Sequence, residues 1–96
     1  MGIKSKFETQ TGVGEGNPID IFDTNDIKIS YACIVTGTVT YSVQHSLADQ
    51  DFIDNTDVLA QTVTKDGNYI FPVQQVRVNI TAGTGSVKFV VRQLVV

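Results

Sequence analysis

The side chains able to do chemistry are few and scattered along the 96 residues. His45 is the only histidine and Cys33 the only cysteine. His45 precedes Ser46, the pairing of base and hydroxyl that nucleophilic catalysis uses. On an extended strand, however, successive side chains point to opposite faces, so these neighbours cannot meet as base and nucleophile. Metal ligation by His45 needs at least two further ligands, which only the loop carrying Asp49, Asp51 and Asp54 could offer. The acids gather at Asp20, Asp23 and Asp26, and again at Asp49, Asp51, Asp54 and Asp57. Aspartates in such runs favour chain reversals because the carboxylate bonds nearby backbone. They are also hard oxygen ligands suited to calcium, but neither run has the glycine and distal glutamate of a helix-loop-helix calcium site. Gly12-Val13-Gly14-Glu15-Gly16 imitates part of a phosphate-binding fingerprint. That fingerprint works only where a helix N-terminus follows, and here Asn17-Pro18 intervenes. Asn79-Ile80-Thr81 matches a glycosylation acceptor, but no apolar stretch follows the lysines of Met1 to Lys6 to make a secretory leader. These residues predict no enzyme, no cofactor and no metal.

The aromatic residues Tyr31, Tyr41, Phe52, Tyr69 and Phe71 are the remaining candidates, as a stacking platform for sugars. Three of them alternate with aliphatic neighbours and so read as core, and the chain has no tryptophan.

Ten acids against seven bases give a net charge of -3, with no basic run, which argues against nucleic acid as a partner. No segment approaches the roughly 20 apolar residues of a membrane-spanning helix. A lone cysteine permits no intrachain disulfide and fits a reducing compartment. At 18% charged residues the chain lies below a typical soluble domain, as expected if neighbours cover part of its surface. Its length fits a single domain.

Hydrophobic periodicity is two nearly throughout, which predicts an all-β chain forming a small antiparallel β-sandwich, jelly-roll-like or barrel-like. Residues 27–35 read as a central strand whose Ile27, Ile29, Tyr31 and Cys33 share a face. Thr36-Gly37 reads as a tight reversal into Val39, Tyr41 and Val43, making a hairpin. A second hairpin is expected between residues 76–80 and 87–91 across the Gly-containing loop 81–85. Residues 58–63 read as a short strand. Asp66-Gly67-Asn68 reads as a turn into a strand at 69–71, which Pro72 ends. Val39, Tyr41, Val43, Val76, Val78, Ile80 and Phe89 are the expected shared core.

Residues 1–18 differ in kind. Three glycines and a proline between Thr9 and Pro18 predict a flexible N-terminal arm, with residues 19–96 as the sandwich domain. Ile19, Ile21 and Phe22 would begin the first core strand. Ile3 and Phe7 in the arm could pair with a neighbouring chain by adding to an open sheet edge.

From about Thr38 to Gln93 the order of pieces resembles small structural proteins of tailed bacteriophages. These are the strand Val39-Thr40-Tyr41-Ser42-Val43-Gln44-His45-Ser46, an aromatic loop at Phe52, the segment Asp66-Gly67-Asn68-Tyr69-Ile70-Phe71-Pro72-Val73, and the strand and glycine-rich turn from Val76 to Val87. The resemblance implies a β-sandwich on the virion, made in the host bacterial cytoplasm. There it would serve as a capsid decoration or cement subunit, or as a tail or adaptor part, and as a homo-oligomer bound to the major capsid protein or other virion proteins. It transfers no functional residues. The residues themselves nominate Ile3, Phe7, Asp49, Asp51 and Phe52 as partner contacts. The alternative is a glycan- or receptor-binding β module using the loops at 49–57 and 81–85.

Overall fold

The computed structural model describes residues 2–21, 28–47 and 51–95. Among the described residues, nine strands form two antiparallel sheets packed face to face. They are β1 (Gly2–Thr11), β2 (Gly14–Glu15), β3 (Ile19–Asp20), β4 (Ile29–Thr36), β5 (Val39–Ser46), β6 (Phe52–Asp54), β7 (Lys65–Tyr69), β8 (Gln75–Gly83) and β9 (Ser86–Val95). One sheet has the order β1-β9-β4-β7; the other has β2-β8-β5-β6, with β3 beside β2 along the same edge of β8. The small β-sandwich expected from the period-two pattern is the observed architecture.

The alternation read from the sequence is what builds the core. Ile29, Tyr31 and Cys33 of β4 face inward with Val87, Phe89 and Val91 of β9, against Val39, Tyr41 and Val43 of β5 and Val76, Val78 and Ile80 of β8. Each such side chain stabilises the fold by about 1.5–3 kcal/mol when fully buried. Ile19 joins this core, and β4 lies between β9 and β7 as a central strand.

Neither predicted hairpin exists. Strands β4 and β5 lie in different sheets, and so do β8 and β9. The true partners are β4 with β9 and β5 with β8, so Thr36-Gly37 and the loop at 83–85 cross the sandwich. Alternation gives each of the four strands one apolar face, and a hairpin or a crossing can bury that face against the other sheet, so the period-two pattern leaves the pairing open. The crossings converge on Gly85. Its N–H donates to Thr38 O at 3.0 Å, its carbonyl accepts from Gly12 N–H at 2.9 Å, and a Cβ there would collide with the Thr36 carbonyl.

Two further expectations are corrected. Residues 58–63 are not a strand: a 3-10 turn at Thr56–Val58 leads to Gln61, which alone bridges Tyr41. Ala60 breaks the run with a φ of 52°, a left-handed conformation unfavourable for a residue with a Cβ. Asp66-Gly67-Asn68 is not a turn but the middle of β7, paired with Ser30, Tyr31 and Ala32. Gly67 is there because the Tyr31 ring lies over it; a Cβ would approach Tyr31 Oη to 2.5 Å.

The flexible arm is likewise replaced by structure. Residues 2–11 are β1, an edge strand paired with β9 along its whole length, from Gly2 opposite Val95 to Thr11 opposite Ser86. The sequence hid it because its inward-facing positions are Lys6, Glu8 and Gln10, all half-buried, with no apolar stripe to read.

Candidate functional site

At the end of the sandwich away from Gly85, β5 and β7 bring a set of aromatic and polar side chains to a shallow mouth. Strand alternation carries Val39, Tyr41 and Val43 inward and leaves His45 as the last inward position of β5, half-buried. Opposite it, Tyr69 closes β7, and the chain then turns out through Ile70 and Phe71. His45 Nδ1 and Tyr69 Oη share a hydrogen bond of 2.9 Å. The His45, Tyr69 and Phe71 rings meet edge to face, with centroids 5.1, 5.7 and 5.4 Å apart in the order His45–Tyr69, His45–Phe71 and Tyr69–Phe71. Behind them Tyr31 packs on Tyr69 and on Phe89, so the mouth stands on the core.

The polar wall comes from the segment after β6. Asn55 is buried and has two jobs: its Oδ1 caps the 3-10 turn by accepting from Asp57 N–H at 2.9 Å, and its Nδ2 donates to Tyr31 Oη at 3.1 Å. The cavity of about 190 Å³ is lined by His45, Asp54, Asn55, Thr56, Asp57, Asn68, Tyr69 and Phe71. Burial lowers the His45 pKa from its ordinary value, so the ring is neutral at pH 7. Burial pushes Tyr31 up to about 12 and raises Tyr41 and Tyr69 as well, so all three phenols keep their protons. Tyr41 spends its proton on the Val63 carbonyl at 2.6 Å.

The rings offer faces, the acids and amides offer hydrogen bonds, and the Tyr69 hydroxyl is engaged by His45 Nδ1. Ser46, the hydroxyl next to His45 in sequence, is fully buried opposite Phe52 on the β6 edge. Cys33 lies in the core, and burial pushes its thiol up to about 12, far from a nucleophilic thiolate. Among the described residues no group of three or more His, Cys, Asp or Glu could hold a metal ion, and no helix is long and apolar enough to cross a membrane.

The nominated partner contacts do not gather in one place. Ile3 stands opposite Leu94 at the start of the β1 ladder. Phe7 points out from β1, 59% exposed, with the Lys88 ammonium 4.7 Å from its ring centre. Asp51 is exposed just before β6, and Asp49 lies outside the described residues, as do Asp23 and Asp26. Phe52 is half-buried beneath the Arg77 guanidinium, 3.8 Å from its ring centre; Arg77 in turn pairs with Glu15 at 2.6 Å. Phe52 is thus a platform for Arg77 on the outer face of its sheet.

The mouth itself was missed as a unit. Its aromatic residues are visible in the sequence, but the pattern predicts Tyr69 and Phe71 on one strand beyond a turn, and nothing in the spacing links them to His45 or Asn55.

No protein-family model matches the sequence, and no curated protein matches it. Two solved structures are similar to this chain. The SPBc2 prophage-derived protein YomS is 12% identical, with a TM-score of 0.58 over 96% of this chain and 94% of that one. A protein of Bacillus endospore appendages, described as a novel family of disulfide-linked pili, is 13% identical, with a TM-score of 0.47 over 99% of this chain and 88% of that one. The likeness to YomS shows a common fold along nearly the full length of both chains.

Proposed function

We propose that this chain is a non-catalytic structural subunit of a bacteriophage particle, a capsid decoration or cement protein that binds the head lattice through protein contacts. The observation that carries the reading is the full-length fold shared with a prophage-derived protein. A two-sheet body with its one thiol, Cys33, buried in an apolar core suits a part that holds neighbours together. Exposed apolar side chains at several places on its surface, Phe7, Ile34, Ile53 and Ile70 among them, offer ground for such contacts.

The direct test is co-sedimentation of the purified chain with heads and, separately, with tails of a phage that encodes it. Saturable binding to heads is expected. Binding to tails alone moves the subunit to a tail or adaptor position, and binding to neither overturns the assembly role. The aromatic mouth favours a second reading, a glycan- or receptor-binding module, because Phe71 is 44% exposed beside amides and carboxylates. In that case the chain binds cell-wall glycans in calorimetry and Phe71→Ala abolishes the binding.

A further inference from the structure

We propose that β1 is an exchangeable strand, able to leave its own β9 and pair with the β9 of a second copy of this chain. The case rests on how unevenly the strands are held. β4, β5, β8 and β9 each bury an apolar face, whereas none of the side chains of residues 4–11 is buried. Phe7 points outward, and the inward-facing Lys6, Glu8 and Gln10 make polar contacts at the rim: Lys6 Nζ to Asp20 O at 2.9 Å, Asn17 Nδ2 to Glu8 Oε1 at 3.0 Å, and Gln10 Nε2 to Gly12 O at 3.3 Å. The strand is therefore held chiefly by its backbone ladder to β9.

A ladder specifies register but not which copy supplies it. The second copy offers β9 the same ten-residue sequence and the same hydrogen bonds, so exchange between copies changes few contacts beyond the hinge. The geometry permits departure. The covalent tie from β1 to the rest of the sandwich is Gly12-Val13-Gly14, with φ of 74° and 148° at the two glycines and Val13 66% exposed. A glycine-rich link of this kind straightens readily, carrying β1 away from the crossing and toward a neighbour. The vacated β9 is then an unpaired inner edge, which a free strand satisfies. The occupant must match β9 residue for residue, and β1 of another copy does.

This deepens the assembly reading by naming one partner, but its test is independent of any phage particle. Phe7 and Val90 are directly paired, as are Ser5 and Arg92. The variants Phe7→Cys and Val90→Cys are made as separate chains of different tag length, mixed at high concentration below the melting temperature, and oxidised. Exchange aligns the two thiols across copies, so the mixed disulfide should exceed a Phe7→Cys with Ile34→Cys control by roughly tenfold or more. The Ser5→Cys with Arg92→Cys pair repeats the measurement should either Phe7→Cys or Val90→Cys fail to fold. Mixed disulfide at or below the control in both pairs overturns exchange. Head binding by a chain locked through Phe7→Cys and Val90→Cys together would leave the assembly role standing without it.

Discussion

Replacing Gly85 by alanine tests the least expected feature of the fold, the crossing of consecutive strands between sheets. A Cβ at Gly85 would collide with the Thr36 carbonyl and come within 2.8 Å of Thr38 N and 3.0 Å of Gly37 C, all backbone atoms that no side-chain rotation can move. Relieving the overlap shifts the two hydrogen bonds made by Gly85, to Thr38 and from Gly12. Overpacking costs about 1–3 kcal/mol, and two weakened backbone hydrogen bonds add about 0.5–1.5 kcal/mol each. The expected loss is thus about 2–6 kcal/mol, against a total stability of about 5–14 kcal/mol for a chain of this length. In thermal unfolding followed by circular dichroism this is a fall of about 8 °C or more. Gly12→Ala is the control. It has no atom within 4 Å of the added Cβ and only its left-handed backbone to strain, at φ 74°, which costs about 1–2 kcal/mol. Were β8 and β9 a hairpin, Gly85 would lie in an open loop and tolerate the change. A Gly85→Ala protein that melts within a few degrees of the parent, or above Gly12→Ala, refutes the crossing.

The Cys33 thiol should resist a water-soluble disulfide reagent in the native state at pH 8 and react once the chain is unfolded in urea; fast native labelling would contradict the core position assigned to it. His45 should give stability a pH dependence. Its folded pKa is lowered by burial, so the unfolded chain binds the proton more readily, and stability, level above the unfolded value of about 6.5, should fall as pH drops through it. Asp54 and Asp57 line the same cavity, so the comparison is with His45→Gln, whose melting temperature should fall less between pH 7 and 5 than the parent's; equal falls would remove His45 as the cause.

Some of this was decided by the sequence alone. Period-two alternation in residues 29–33, 39–43, 76–80 and 87–91 determined that these segments are strands and which side chains are buried, because strand geometry sends alternate residues to opposite faces whatever the pairing. What alternation cannot carry is the identity of a strand's neighbour. A glycine-containing link reads the same whether it folds back within a sheet or crosses between sheets. Only the tertiary pairing of β4 with β9 and of β5 with β8 reveals the crossing at Thr36-Gly37 and at 83–85. The same holds for β1, whose polar alternation gives no signal until β9 offers it an edge, and for Gly67, which looks like a turn until the Tyr31 ring is placed over it. The aromatic mouth belongs to tertiary structure: His45, Asn55 and the Tyr69–Phe71 pair come from three separate segments, and it is the stacking of β5 under β7 that brings them together.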